Sequence, residues 1–227
     1  MEHVVRLRST LALKGAMQRL AGQYQEAAAT RIDAEFAPTL GLLERLRGGE
    51  TADVVILTKE GLDELVAEGA VVAESKVDLA RSYVGIAVEA GDRHPEIATE
   101  PALSQALLAA RSVAYSKIGA SGIFFAELIE RLGIASEINA KATITSGFTA
   151  DRLITGEADL AVQQISELKQ VSGIEIVGPI PYALQTPAVF SAGRMAASKE
   201  AARADALLAF LASREVASVL RESGLEA

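Results

Sequence analysis

Two short segments hold the residues best placed to do chemistry: Arg8-Ser9-Thr10-Leu11-Ala12-Leu13-Lys14-Gly15 and Lys117-Ile118-Gly119-Ala120-Ser121-Gly122. Each is a small, hydroxyl-bearing turn. Each follows a strand-like run, Val4 to Leu7 in one case and Ser112 to Tyr115 in the other, and opens an amphipathic helix. A helix start leaves backbone N–H groups without intrahelical partners and carries the positive end of the helix dipole, so each turn is suited to hold an anion. Capping is the plainer use of Ser9 and Thr10, and of Thr39 after Pro38. The recurrence of the turn in both halves of the chain predicts two half-sites facing each other across a cleft.

The remaining composition removes most other chemistries. The net charge is −8 and no segment gathers Lys or Arg, which argues against nucleic acid or an anionic membrane as partner. An anion must then be held by local dipoles and hydroxyls. The absence of cysteine removes thiolate nucleophiles, disulfides and sulfur-ligated zinc, and two histidines, His3 and His94, are too few for a metal cluster. No dinucleotide or triphosphate fingerprint occurs, and no serine has a histidine in a nucleophile motif, so no cofactor and no hydrolytic triad are expected. No apolar run approaches the ~20 residues that span a bilayer, so membrane insertion is not expected. Met1 leads directly into a strand-like run rather than a leader, which reads as cytoplasmic, or as periplasmic if a leader has been removed.

The elements that position the two turns alternate between helix and strand, the pattern of an α/β protein with mainly parallel sheets. Leu13, Met17, Leu20, Tyr24 and Ala28 recur at helical spacing after the first strand. A strand around Ile32 to Phe36 leads through Pro38-Thr39 to a short helix marked by Leu42, Leu43 and Leu46 and ended by Gly48-Gly49. Asp53 opens the continuous apolar run Val54 to Leu57, which suits a strand covered on both faces. Leu79 to Val88 forms a further extended run. The rhythm then restarts: a strand at Val113 to Tyr115, a helix striped by Phe124, Phe125, Leu128, Ile129 and Leu132, strands at Ala142 to Thr145 and Asp159 to Gln163, and a short helix stopped at Gly156. An extended stretch from Thr186 to Phe190 precedes two terminal helices, with Ser198 and Ser213 as their expected caps. Lobe 1 is expected to comprise 1–82 and 189–227 and lobe 2 to comprise 83–188, with crossovers near 81–84 and 183–188.

Several segments carry a resemblance across nearly the whole chain. They are Ser9-Thr10-Leu11-Ala12 with Lys14-Gly15, Thr39 before its Leu-rich helix, Gly48-Gly49-Glu50-Thr51-Ala52-Asp53-Val54-Val55-Ile56, Ala120-Ser121-Gly122-Ile123, Thr155-Gly156-Glu157-Ala158-Asp159 and Gln164-Ile165-Ser166-Glu167. A Gly-Glu-x-Ala-Asp signature running into an apolar strand thus occurs twice. In these features the chain resembles the type II solute-binding proteins, specifically the periplasmic molybdate-binding family, whose relatives include an aconitate isomerase. The resemblance implies a two-lobed α/β fold, each lobe a mainly parallel sheet flanked by helices, that closes over a small tetrahedral oxyanion. It implies Ser9, Thr39, Ser121, Ser146 and Gln164 as contacts, with Thr10 and Gly147 beside them, and an ABC permease as partner if the protein is exported.

Two positions depart from the molybdate binders: Gln164 stands in place of their tyrosine, and Ser121 where they usually have alanine. Gln163, Gln164 and Ser121 add donors and acceptors, and Lys117 and Arg81 add positive charge, a set that suits a carboxylate or polycarboxylate. On an adjacent pair along a strand only one side chain can face a given side, and Gln164 is the one expected in the pocket. The alternative activity is an isomerase that moves a double bond in an unsaturated polycarboxylate. It would need a base, for which Tyr115, Lys117 and Glu167 are candidates. Asp53 and Asp159 are expected to be structural, and His94 to lie in a solvated loop.

Overall fold

The computed structural model describes residues 3–227. In chain order it contains β1 (His3–Thr10), α1 (Lys14–Ala28), β2 (Thr30–Ala37), α2 (Thr39–Arg47), β3 (Val54–Thr58), α3 (Lys59–Ala67) and β4 (Val77–Ser82). There follow β5 (Val84–Glu89), α4 (Glu100–Ala109), β6 (Val113–Tyr115), α5 (Ala120–Arg131), α6 (Ala135–Ala140), β7 (Ala142–Ile144), α7 (Asp151–Ile154), β8 (Leu160–Gln164), α8 (Ile165–Leu168) and β9 (Ile174–Pro179). The chain ends with β10 (Ala188–Arg194), α9 (Ala201–Leu211) and α10 (Ala217–Glu222). It divides into two compact units, Met1–Ser82 with Ala188–Ala227, and Tyr83–Pro187.

Unit 1 is built on a sheet of order β2-β1-β3-β10-β4 and unit 2 on one of order β7-β6-β8-β5-β9. In each, three parallel strands come first, then one reversed strand, β10 or β5, then an edge strand antiparallel to it. Both sheets are therefore mixed, with one strand running against the other four. That reversal leaves no composition signal, because apolar strands covered on both faces read alike in either direction.

Both sheets are covered on two faces. In unit 1, Val5, Leu7, Val54 and Ile56 pack with Leu13, Met17, Leu20 and Tyr24 of the α1 region and with Leu207, Leu208 and Leu211 of α9. The opposite face sets Val55 and Leu57 against Leu42, Leu43 and Leu46 of α2 and Leu62 and Leu65 of α3. In unit 2, Val84, Ile86, Val113, Tyr115 and Val162 pack under Phe125, Leu128 and Ile129 of α5. The small residues Ala87, Ala114 and Ala161 face Leu153 and Leu168 on the other side. The α1 stripe is buried as its spacing predicts except for Ala28, which is exposed where the helix gives way to Ala29 at φ 47°.

The repeated Gly-Glu-x-Ala-Asp signature has one architectural use in both units. The Asp53 carboxylate accepts the Arg6 backbone N–H at 2.9 Å and the Arg6 guanidinium at 3.2 Å. The Asp159 carboxylate likewise accepts from the Arg111 backbone N–H at 2.7 Å and the Arg111 guanidinium at 2.8 Å. Asp53 thus ties the start of β3 to the middle of β1, and Asp159 ties the start of β8 to the residues just before β6. Burial works against the charge on Asp53, but the bonds from Arg6 and Ser198 outweigh it and hold its carboxyl below the ordinary range.

Three sequence expectations change. Ser9 and Thr10 are the last two residues of β1, paired with Phe36 and Ala37, and the chain enters α1 through a 3-10 turn over Leu11–Leu13, so neither hydroxyl caps a helix. The extended run Leu79 to Val88 is two strands interrupted at Tyr83. Ser198 and Ser213 make no side-chain cap to α9 or α10. Ser198 instead donates to Asp53 at 2.8 Å and accepts from the Glu200 N–H, and the buried Ser213 hydroxyl has no partner.

Candidate functional site

In unit 1 the C-terminal ends of β1, β2 and β3 lie side by side, which is where open α/β sheets place ligands. Thr10 ends β1 opposite Ala37, and Pro38 then turns the chain so that Thr39 is the first residue of α2. Ser9, Thr10 and Thr39 are all buried at this edge. The Ser9 hydroxyl donates to the Thr10 carbonyl at 3.2 Å. The Thr10 hydroxyl, 3% exposed, has no hydrogen-bond partner. A buried hydroxyl without a partner is costly, and a ligand oxygen is one way to satisfy it.

A fourth hydroxyl of this edge, Thr58, escaped the sequence reading. It ends β3, caps α3 by accepting the Gly61 N–H at 3.3 Å, and brings Gly61 against Thr39. A Cβ at Gly61 would sit 3.1 Å from Thr39 Cγ2, so the glycine lets the starts of α2 and α3 approach. The signal was present: a threonine between an apolar strand and a helix is a favoured cap pattern.

Unit 2 repeats the arrangement at the ends of β6, β7 and β8. After β6, the Ser116 hydroxyl accepts the N–H groups of Ile118 and Gly119 at 3.2 Å each, shaping the turn that starts α5. Gly122 lies so close to this turn that an added Cβ would fall 1.5 Å from the Ser116 carbonyl oxygen. Ser121, the second residue of α5, is buried. After β7, Ser146 is exposed and Gly147 half-buried. Gln164 is buried at the end of β8.

Each unit thus gathers its own candidates on one strand-end edge, Ser9, Thr10 and Thr39 in unit 1, and Ser121, Ser146, Gly147 and Gln164 in unit 2. The other singled-out groups differ in exposure and partners. Arg81 and Lys117 are exposed, and His94 pairs with Glu175 at 2.8 Å. The buried Tyr115 hydroxyl donates to Asn139 Oδ1 at 2.5 Å, and burial pushes the phenol up, which removes it as a base. Glu167 differs from the other carboxylates: burial pushes its carboxyl up to about 8, with a small opposing effect from the Gln163 hydrogen bond. It is protonated at neutral pH and ionises just above it.

The family described as bacterial extracellular solute-binding protein matches residues 5–226. The chain belongs to that family. Among its relatives, aconitate isomerase from Pseudomonas sp is 36% identical over 221 residues, covering 94% of this chain and 84% of the relative. The periplasmic molybdate-binding protein of Azotobacter vinelandii shares the fold with a TM-score of 0.84 at 16% identity, over 98% of this chain and 99% of that one. A sulfate-binding protein from Mycobacterium tuberculosis superposes with a TM-score of 0.80 at 13% identity, over 98% and 86% of the two chains. The architecture is the two-lobed α/β fold of the type II periplasmic binding proteins. No helix among the described residues is long and apolar enough to cross a membrane.

Proposed function

We propose that this protein binds one small anion, a carboxylate in preference to a bare tetrahedral oxyanion, through the candidate residues at its strand-end edges. The single observation that carries this reading is the buried, unpartnered hydroxyl of Thr10 at the C-terminal end of β1. Ser9, Thr10 and Thr39 would supply hydroxyls and helix-start N–H groups from one lobe, and Ser121, Ser146, Gly147 and Gln164 from the other. The lobes would comprise 1–82 with 189–227, and 83–188, joined by crossovers near 81–84 and 183–188. An exported form would deliver its ligand to an ABC permease. The molybdate- and sulfate-binding proteins that share the fold support an anion as ligand. The amide of Gln164 and the hydroxyl of Ser121 favour a ligand with several oxygens at unequal spacing.

The test is a thermal-shift panel of trans-aconitate, citrate, sulfate and molybdate. A ligand present at 100 times its Kd stabilises the folded state by about 2.7 kcal/mol, a shift of several degrees for a chain of this size. A panel without any shift refutes the reading.

A second reading is turnover, favoured by the 36% identity to aconitate isomerase over nearly the whole chain. A base would take a proton from the saturated carbon of the bound acid, the allylic carbanion would be stabilised by helix-start N–H groups, and the proton would return to the far end of the shifted double bond. Of the three candidate bases, Glu167 is kept protonated at neutral pH by its burial and the Tyr115 hydroxyl is tied to Asn139, which leaves Lys117, on the turn between β6 and α5, as the candidate. Proton NMR of trans-aconitate in deuterated buffer decides the matter: double-bond migration or deuterium uptake supports turnover, and an unchanged spectrum excludes it.

A further inference from the structure

Gln163 is 1% exposed, one residue before Gln164 on β8, and its amide is spent on the segment that carries Ser146 and Gly147. Its Oε1 accepts the Thr149 backbone N–H at 2.8 Å and the Thr149 hydroxyl at 3.1 Å, while Nε2 donates to the Gly147 carbonyl at 3.1 Å. These bonds pin residues 147–149 to the third parallel strand of unit 2. An amide turned end over end would set acceptor against acceptor at Gly147 and donor against donor at the Thr149 N–H, so its orientation must be fixed. The Gln163 amide also hydrogen-bonds the buried Glu167 carboxyl on α8, and an acceptor there holds Nε2 on the correct side.

α8 packs against β5, β8 and β9. The charged residues of those strands, Glu89 on β5 and Glu175 on β9, are exposed, as is Lys169 just beyond α8, and Glu175 is occupied by His94 and the Gly91 N–H. None of them contributes to the proton affinity of Glu167, which burial sets with Gln163 opposing. The carboxyl is therefore a neutral acid at pH 7, in contact with a side chain that holds the loop.

We propose that Gln163 and Glu167 are positioning residues for the anion: the uncharged Glu167 fixes the Gln163 amide and thereby the Ser146–Gly147 backbone, and ionisation of Glu167 releases the ligand. Ionisation acts twice. It draws Nε2 away from the Gly147 carbonyl, and it puts a negative charge in a low-dielectric interior behind an anion site. This rests on the reading of Ser146 and Gly147 as ligand contacts.

The experiment is a pH titration of nitrogen-15-labelled protein from pH 6 to pH 10, with trans-aconitate affinity measured by calorimetry over the same range. In the parent protein the Thr149 backbone N–H and the Gln163 side-chain resonances shift together, centred near 8, and the Kd rises on the order of tenfold between pH 7 and pH 9.5. In Glu167→Gln both dependences vanish while binding at pH 7 persists. Thr149→Val, which removes one of the three bonds, weakens binding but keeps its pH dependence. Resonances at Thr149 and Gln163 that do not move with pH, or that move equally in Glu167→Gln, overturn the proposal. If those resonances titrate as expected while trans-aconitate binds at no pH, the coupling of Glu167 to the loop stands and the binding reading fails.

Discussion

Glu167→Gln has a consequence for stability that needs no ligand. An ordinary glutamate carboxyl titrates at 4.5, whereas burial raises this one to about 8. Between those values the folded state keeps a proton that the unfolded state has released, so stability falls as pH rises and levels off above about 8. At about 1.4 kcal/mol for each tenfold change in proton affinity, the full loss between pH 4.5 and pH 8 is ~5 kcal/mol. Glutamine matches the shape and hydrogen-bonding reach of the neutral acid but has no proton to lose. The two proteins should therefore converge in melting temperature near pH 5, and the variant should be the more stable by ~10 °C or more at pH 9. Differential scanning calorimetry from pH 5 to pH 9 provides the assay. Curves for parent and variant that stay parallel across this range refute the account of Glu167 as a buried neutral acid.

Further outcomes follow from the same geometry. Asp53→Ala removes a carboxylate, 1% exposed, that binds Arg6 and Ser198, and should cost ~3 kcal/mol in urea unfolding. Asp159→Ala removes the equivalent group from a pair exposed at 70% and 37%, and should cost under ~1 kcal/mol, so equal losses would deny the role of burial. Gly122→Ala places a Cβ 1.5 Å from the Ser116 carbonyl and should destabilise the protein by more than ~3 kcal/mol, whereas Gly119→Ala meets only ordinary contacts from 3.5 Å and should cost under ~1 kcal/mol. Thr10→Val exchanges an unpartnered buried hydroxyl for a methyl group. It should leave the unliganded melting temperature unchanged or slightly raised while weakening anion binding about tenfold, and unchanged affinity would remove Thr10 from the site.

Much of this architecture is written locally. The Leu42, Leu43 and Leu46 stripe and the Val54 to Leu57 run become buried elements because their periods match one covered face of a helix and both covered faces of a strand. The role of Asp53 and Asp159 was also legible, since the repeated signature places each before a buried strand. What escaped is non-local. Nothing near Gln163 marks it as the brace of residues 147–149, because its partner Thr149 lies fourteen residues upstream and the pairing exists only once β8 is seated beside β6. The reversed strands β5 and β10 escaped for the same reason, since direction is decided by connection and not by composition. Ser9 and Thr10 were expected in a helix-opening turn but lie in β1, because the strand extends three positions past Leu7.

The central claim is that an anion binds at the strand-end edges that carry the candidate residues, and amide chemical-shift mapping with trans-aconitate tests it most directly. The account predicts that resonances of Ser9 to Leu11 and of Thr39 move together with those of Ser121, Gly122, Ser146 and Gly147, along one binding curve with a single Kd. Shifts confined to one lobe, or two groups of residues following different curves, would contradict it.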